Sequence, residues 1–193
     1  WLLFPFVVIL TFNISVYAGL QGVKIGIDPG HGGTDPGAVG PTGLTEKYAN
    51  LDTSLEARDY FISAGADVYM TRTVDETLSL QDRTDYFNGA GVDRAISVHH
   101  NASSNPDANY TGVHVYLNYC WQTSGDLAYT MAHRQNDHMN IGFVWSNCDR
   151  EGLHQDNFHM VRETAMPAVL TEISFISNPA EENRLKQASY REA

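Results

Sequence analysis

Two cysteines in 193 residues are too few for a disulfide-stapled scaffold. Their positions, Cys120 and Cys148, make no metal-finger pattern. Basic residues are also scarce, 12 against 23 acidic, giving a formal net charge of −11. A surface of that sign repels nucleic acid and anionic lipid, so neither is expected as a partner. No apolar run reaches the roughly 20 residues needed to span a bilayer, so stable membrane insertion is not expected. The chain has no internal repeat, no low-complexity tract and no linker beyond its first residues. It also lacks a His-Glu-X-X-His helix, which excludes the commonest zinc-peptidase ligand arrangement.

What remains is the make-up of one globular domain. The length suits a single domain, which at this size buries about 70% of its unfolded surface. The apolar share, 42%, is ordinary. Residues 1–18 stand apart. Trp1 to Leu10 is apolar, the run weakens through Asn13 and Ser15, and it ends in Val16-Tyr17-Ala18. Small residues at that spacing resemble a signal-peptidase site, so residues 1–18 read as the remnant of a secretory signal. The mature chain then starts near Gly19 and comprises residues 19–193. In a secreted protein Cys120 and Cys148 can pair or remain two partly buried thiols.

Beyond the leader, short β-branched runs alternate with helical patterns. Strands are expected at 23–28, 67–72, 95–99, 112–117 and 168–173. Helices are expected at 46–64, 78–90, 124–139 and 179–187, the first capped by Thr45 and packed through Tyr48, Leu51, Leu55 and Tyr60 or Phe61. This order predicts an α/β fold: a single domain with a mixed, mostly parallel sheet flanked by helices on both faces. Functional groups in such sheets gather at the carboxyl ends of the strands.

The first strand ends in Asp28-Pro29-Gly30-His31-Gly32-Gly33, where glycines leave room beside an imidazole. The third ends in Ser97-Val98-His99-His100-Asn101. Glu46 opens the first long helix, a position that also favours a carboxylate through the helix dipole. Glu172 lies inside the apolar run Val169-Leu170-Thr171-Glu172-Ile173, and a buried carboxylate costs several kcal/mol unless paired or bound to a metal. Two histidines and one carboxylate make a three-ligand zinc set with a fourth position open. A second carboxylate outside that set can move protons, and the combination is an amide hydrolase.

The ordered segments IGIDPGHGGTDPGAVGPTGLTEK, VYMTRTVDETLSLQDRT, ISVHHNAS, GVHVYL and FHMVRETAMPAVLTEISFISNPAEE resemble the zinc-dependent N-acetylmuramoyl-L-alanine amidase family, of the type 3 catalytic domain. The likeness runs from about Lys24 to Lys186. It implies Zn2+ as cofactor, His31, Glu46 and His99 as its ligands, and Glu172 as the catalytic residue. It also implies a cell-wall hydrolase, secreted to the wall or periplasm, acting on peptidoglycan. An activator protein or a further wall-binding domain are the other partners it implies. Strand neighbours point to opposite faces, so only one of His99 and His100 can join His31. The family pattern selects His99, and His100 reads as a packed neighbour. Arg72 and Arg83 match recurrent family positions and are expected to hold carboxylates, such as Asp75 or Asp82, and so fix loops rather than catalyse. His114, His133, His138, His154 and His159 have no ligand spacing. Ser174 stands where the family has a glycine. The chain stops before the end of the family's closing helix, so the domain is expected to be truncated there. The rival readings are a zinc peptidase acting on the stem peptide and an inactive wall-binding module.

Overall fold

The computed structural model describes residues 19–191. The leader assigned to residues 1–18 lies outside them. Six strands form one sheet in the order β2-β1-β3-β6-β4-β5. They are β1 (Lys24–Pro29), β2 (Asp67–Met70), β3 (Arg94–Asn101), β4 (Gly112–Tyr116), β5 (Leu153–Asp156) and β6 (Ala168–Phe175). All neighbours are parallel except β4 and β6. The helices are α1 (Glu46–Ser63), α2 (Leu80–Ala90), α3 (Thr123–Met139), α4 (His159–Arg162), α5 (Pro179–Leu185) and α6 (Ala188–Arg191).

Strand alternation divides the sheet into two faces. Ile25, Ile27, Ile96, Val98, Val113, Val115, Leu153 and Val169 pack with Ala128 and Ala132 of α3 and with Ala57 and Phe61 of α1. The opposite face carries Ala95 and Ala168, covered by Phe87 of α2 and Met160 of α4. Helices thus lie on both faces, as the alternating pattern predicts. Gly26 is obligatory on the second face, because a Cβ there would lie 2.9 Å from the Phe87 ring.

Several local expectations need correction. Thr45 precedes α1, but its side chain makes no cap hydrogen bond, and its hydroxyl is buried without a partner. The buried residues of α1 are Glu46, Ala49, Asn50, Leu51 and Ser54, whereas Tyr48 and Tyr60 are exposed. Its inward face mixes apolar residues with Glu46 and Asn50, which its first turns carry to the functional site. Helix α2 starts two residues later than expected, at a capping box between Ser79 and Asp82. Strand β5 and helices α4 and α6 were not expected: β5 reads Leu-His-Gln-Asp without a β-branched residue, and the two helices have four residues each. Cys120 and Cys148 form a disulfide with Cα atoms 6.6 Å apart. Among the described residues, no helix is long and apolar enough to cross a membrane.

Candidate active site

The turn after β1 is held by two buried arginines. Arg83 bonds the Asp28 carboxylate at 2.7 Å and donates to the carbonyls of Pro29 and His31. Thr71 and Ser97 donate to the same carboxylate. Burial alone would raise the Asp28 pKa, but the Arg83 guanidinium and the two hydroxyls hold it below the ordinary value. Arg72 donates to the carbonyls of Pro29, Gly30 and Lys47. Arg83 thus holds a carboxylate, as expected, but that carboxylate is Asp28 and not Asp75 or Asp82, and Arg72 bonds backbone carbonyls instead. Asp75 is taken by Lys47 and the Gly33 amide, and Asp82 by the α2 capping box, while buried Asp28 needs the cation. The arginines do fix a loop, chiefly through backbone carbonyls.

That loop presents His31 in the left-handed region, at φ 61°. A non-glycine residue there is strained, and such strain persists where surroundings over-determine the conformation. Asp35 fixes the ring by accepting a hydrogen bond from Nδ1 at 2.8 Å. The other ring nitrogen, Nε2, is 3.1 Å from Glu46 Oε2. His99, near the carboxyl end of β3, brings its Nδ1 within 3.0 Å of Glu46 Oε1. Donor atoms of the three residues lie within 4.8 Å of one another. The two imidazoles meet edge to face at 4.9 Å between centroids.

Glu46 is buried at the first position of α1 and is tied at both oxygens. Oε2 accepts from the Ala38 amide, and Oε1 accepts from the Asn50 amide one turn along the helix. Burial opposes its ionisation, yet His31, His99 and the Ala38 amide hold its pKa well below the carboxylate range. Burial pulls His31 down, but Glu46 and Asp35 outweigh it and raise the imidazole to about 9. The charged Glu46 carboxylate therefore favours positive charge at this point. The cradle depends on two glycines. A Cβ on Gly30 would lie 2.2 Å from His99 Nε2, and one on Gly37 would lie 2.6 Å from Glu46 Oε2. Space, donor types and charge all fit a metal ion.

Glu172 is directly opposite His99 in the β3–β6 register and shares its face of the sheet. Burial pushes its carboxyl up to about 7, against a smaller opposing pull from His99. Its Oε2 is buried with no hydrogen-bond partner. The four residues singled out in the sequence are thus together, three around one point and Glu172 beside them. His100 faces away: it is buried against α1, with Nδ1 2.8 Å from Asn50 Oδ1. A cleft of about 420 Å³ opens over the site, lined by His31, Asp35, His99, Glu172, Phe158 and His159 among others.

Sequence reasoning missed Asp35, Asn50 and the Phe158–His159 wall. Two of them carried a signal. Asp35 is four residues after His31 in the same glycine-rich loop, and Asn50 is four residues after Glu46 on a helix, where side chains meet. The wall follows β5, which no pattern announced.

A family model described as N-acetylmuramoyl-L-alanine amidase matches residues 25–193. Over 170 residues the chain is 39% identical to the N-acetylmuramoyl-L-alanine amidase CwlM of Bacillus licheniformis, covering 87% of this chain. The chain spans 62% of that relative's length. Among solved structures, an N-acetylmuramoyl-L-alanine amidase from Clostridium difficile 630 superposes with a TM-score of 0.77 at 31% identity, over 88% of this chain and 89% of that one. The CwlD amidase from Clostridioides difficile, solved in complex with the GerS lipoprotein, gives a TM-score of 0.78 at 25% identity, over 88% and 91% of the two chains.

Proposed function

Because the chain belongs to the N-acetylmuramoyl-L-alanine amidase family, we propose that it hydrolyses the amide joining N-acetylmuramic acid to L-alanine in bacterial peptidoglycan. The observation that carries this reading is the meeting of His31, Glu46 and His99, with Glu172 in register beside them. Two imidazoles and one carboxylate suit zinc and leave a position open. When bound by these three residues, zinc supplies Lewis acidity, acidifying water and polarising the amide carbonyl.

The chain's own residues supply the rest. Glu172 takes a proton from the attacking water as its oxygen bonds to the carbonyl carbon. It then passes that proton to the L-alanine nitrogen as the carbon–nitrogen bond breaks. Its unpartnered Oε2 suits this work, because no other group competes for the proton. Asp35 fixes the His31 tautomer by accepting from Nδ1, which leaves Nε2 turned toward Glu46. Asn50 anchors Glu46 in the same sense.

The activity belongs outside the membrane, in the wall or periplasm. The leader-like composition of residues 1–18 and the Cys120–Cys148 disulfide support export, since disulfides persist in oxidising compartments. That the CwlD amidase was solved in complex with the GerS lipoprotein supports a protein partner for this chain too, and we take an activator as its role.

The test is to incubate zinc-loaded protein with purified peptidoglycan and identify the freed amino groups by end labelling. New N-terminal L-alanine, lost on chelation and restored by zinc, is the expected result. New ends on other residues would make the protein a stem peptidase. No new ends from folded, zinc-bound protein would leave a wall-binding module.

A further inference from the structure

His114, His154 and Asp156, which the sequence left unassigned, are neighbours in the fold. His114 on β4 pairs with His154 on β5 in parallel register, and Asp156 is two residues further along β5. Residues two apart on a strand share a face, so all three project from the face that carries His99 and Glu172. Donor atoms of the three lie within 4.8 Å of one another. The His114 and His154 rings are 5.0 Å apart, and His114 Nδ1 is 2.5 Å from Asp156 Oδ2. His154 Nε2 is buried and has no hydrogen-bond partner. A buried polar atom left so is unfavourable, and a bound ion is one partner that would satisfy it.

We propose that His114, His154 and Asp156 form a second metal site, for a divalent ion of the zinc class, distinct from the site made by His31, Glu46 and His99. The donor set decides the ion class. Two imidazoles with one carboxylate suit zinc, cobalt or nickel, whereas magnesium and calcium require oxygen. Tetrahedral zinc places neighbouring donors roughly 3.3 Å apart. The register already faces the three residues together, with donor atoms within 4.8 Å. Asp156 is 36% exposed and gives the ion a path from solvent.

The site has a structural consequence for the cleft. Strand β5 is an edge strand and only four residues long. An ion there ties it to β4 through side chains as well as the backbone ladder. Phe158 follows Asp156 by two residues, packs 5.2 Å from the His114 ring and lines the cleft. The second ion therefore sets one wall of the active site while taking no part in proton transfer.

The experiment is a metal count. Metal-depleted protein is titrated with Zn2+ or Co2+, freed of loose ion by gel filtration, and analysed by atomic emission. Two equivalents are expected, with Mg2+ not competing. Glu46→Gln should lose one and keep the other. His154→Gln should weaken the second ion by more than about 100-fold, because even outer-shell changes cost 10–100-fold. Asp156→Asn, at a half-exposed position, repeats the test should His154→Gln fail to fold. An equivalent kept in Glu46→Gln and lost in either β5 variant supports the second site, whatever the first site binds. A single equivalent that Glu46→Gln removes, or a second one that survives both β5 substitutions, overturns it.

Discussion

Replacing Arg83 with Met removes the only cation, among the described residues, bonded to the Asp28 carboxylate, which is 1% exposed. The Asp28 charge then keeps only the Thr71 and Ser97 hydroxyls, and the carbonyls of Pro29 and His31 lose a donor. Breaking a buried pair from one side costs about 3–5 kcal/mol, because a charge is left uncompensated in a poor dielectric. A domain has only about 5–15 kcal/mol of stability in all. For a chain of this length each kcal/mol shifts Tm by roughly 2–4 °C, so Arg83→Met should lower it by roughly 6–20 °C. Calorimetry and urea unfolding measure this directly. The double variant Asp28→Asn with Arg83→Met removes the stranded charge and keeps hydrogen bonding to both hydroxyls, so it should recover at least about half of the loss. An Arg83→Met protein within about 1 kcal/mol of the parent would refute the reasoning. So would a double variant no better than the single one.

The same pair sets an acid limit. The folded-state pKa of Asp28 is depressed, so its stabilisation is complete above the unfolded value of about 3.9 and is lost as pH falls through the folded one. The urea midpoint should stay flat from pH 7 to 5 as far as Asp28 contributes, then fall below about pH 4. The double variant should lack that part of the fall. Reducing the Cys120–Cys148 disulfide opens a loop of sequence separation 28 and should cost about 3.6 kcal/mol by the chain-entropy relation. Unfolding with and without reductant checks this. Gly30→Ala puts a methyl 2.2 Å from His99 Nε2, so it should cut zinc affinity at His31, Glu46 and His99 by at least about tenfold, read by chelator competition.

Which parts were legible in the sequence follows from how locally each is encoded. Strands β1, β3 and β6 announce themselves as β-branched runs because both of their faces are buried. The site residues on them are visible as polar breaks in apolar runs. Glu46 is visible as a helix start. Partners that depend on approach between distant segments are not. Arg83 and Asp28 are 55 residues apart, and nothing local distinguishes Asp28 from Asp75 as the carboxylate that needs a cation. The pairing of His114 with His154 depends on the β4–β5 register, reached only after α3 crosses over. In α1, the polar residues Glu46, Asn50 and Ser54 recur every four positions and are all buried. That stripe is legible as a spacing, but polar residues at helical spacing read as a solvated face, and only the fold shows that this one is buried.

The central claim is a division of labour, with His31, Glu46 and His99 holding the metal and Glu172 moving the proton. Glu172→Gln keeps the size of the side chain and removes only its basicity. Zinc content and turnover of peptidoglycan should be measured on the same preparation. The account predicts unchanged zinc and a rate lower by at least about 100-fold, the usual worth of a positioned acid–base group. Full turnover with zinc retained, or loss of zinc with the substitution, would contradict it.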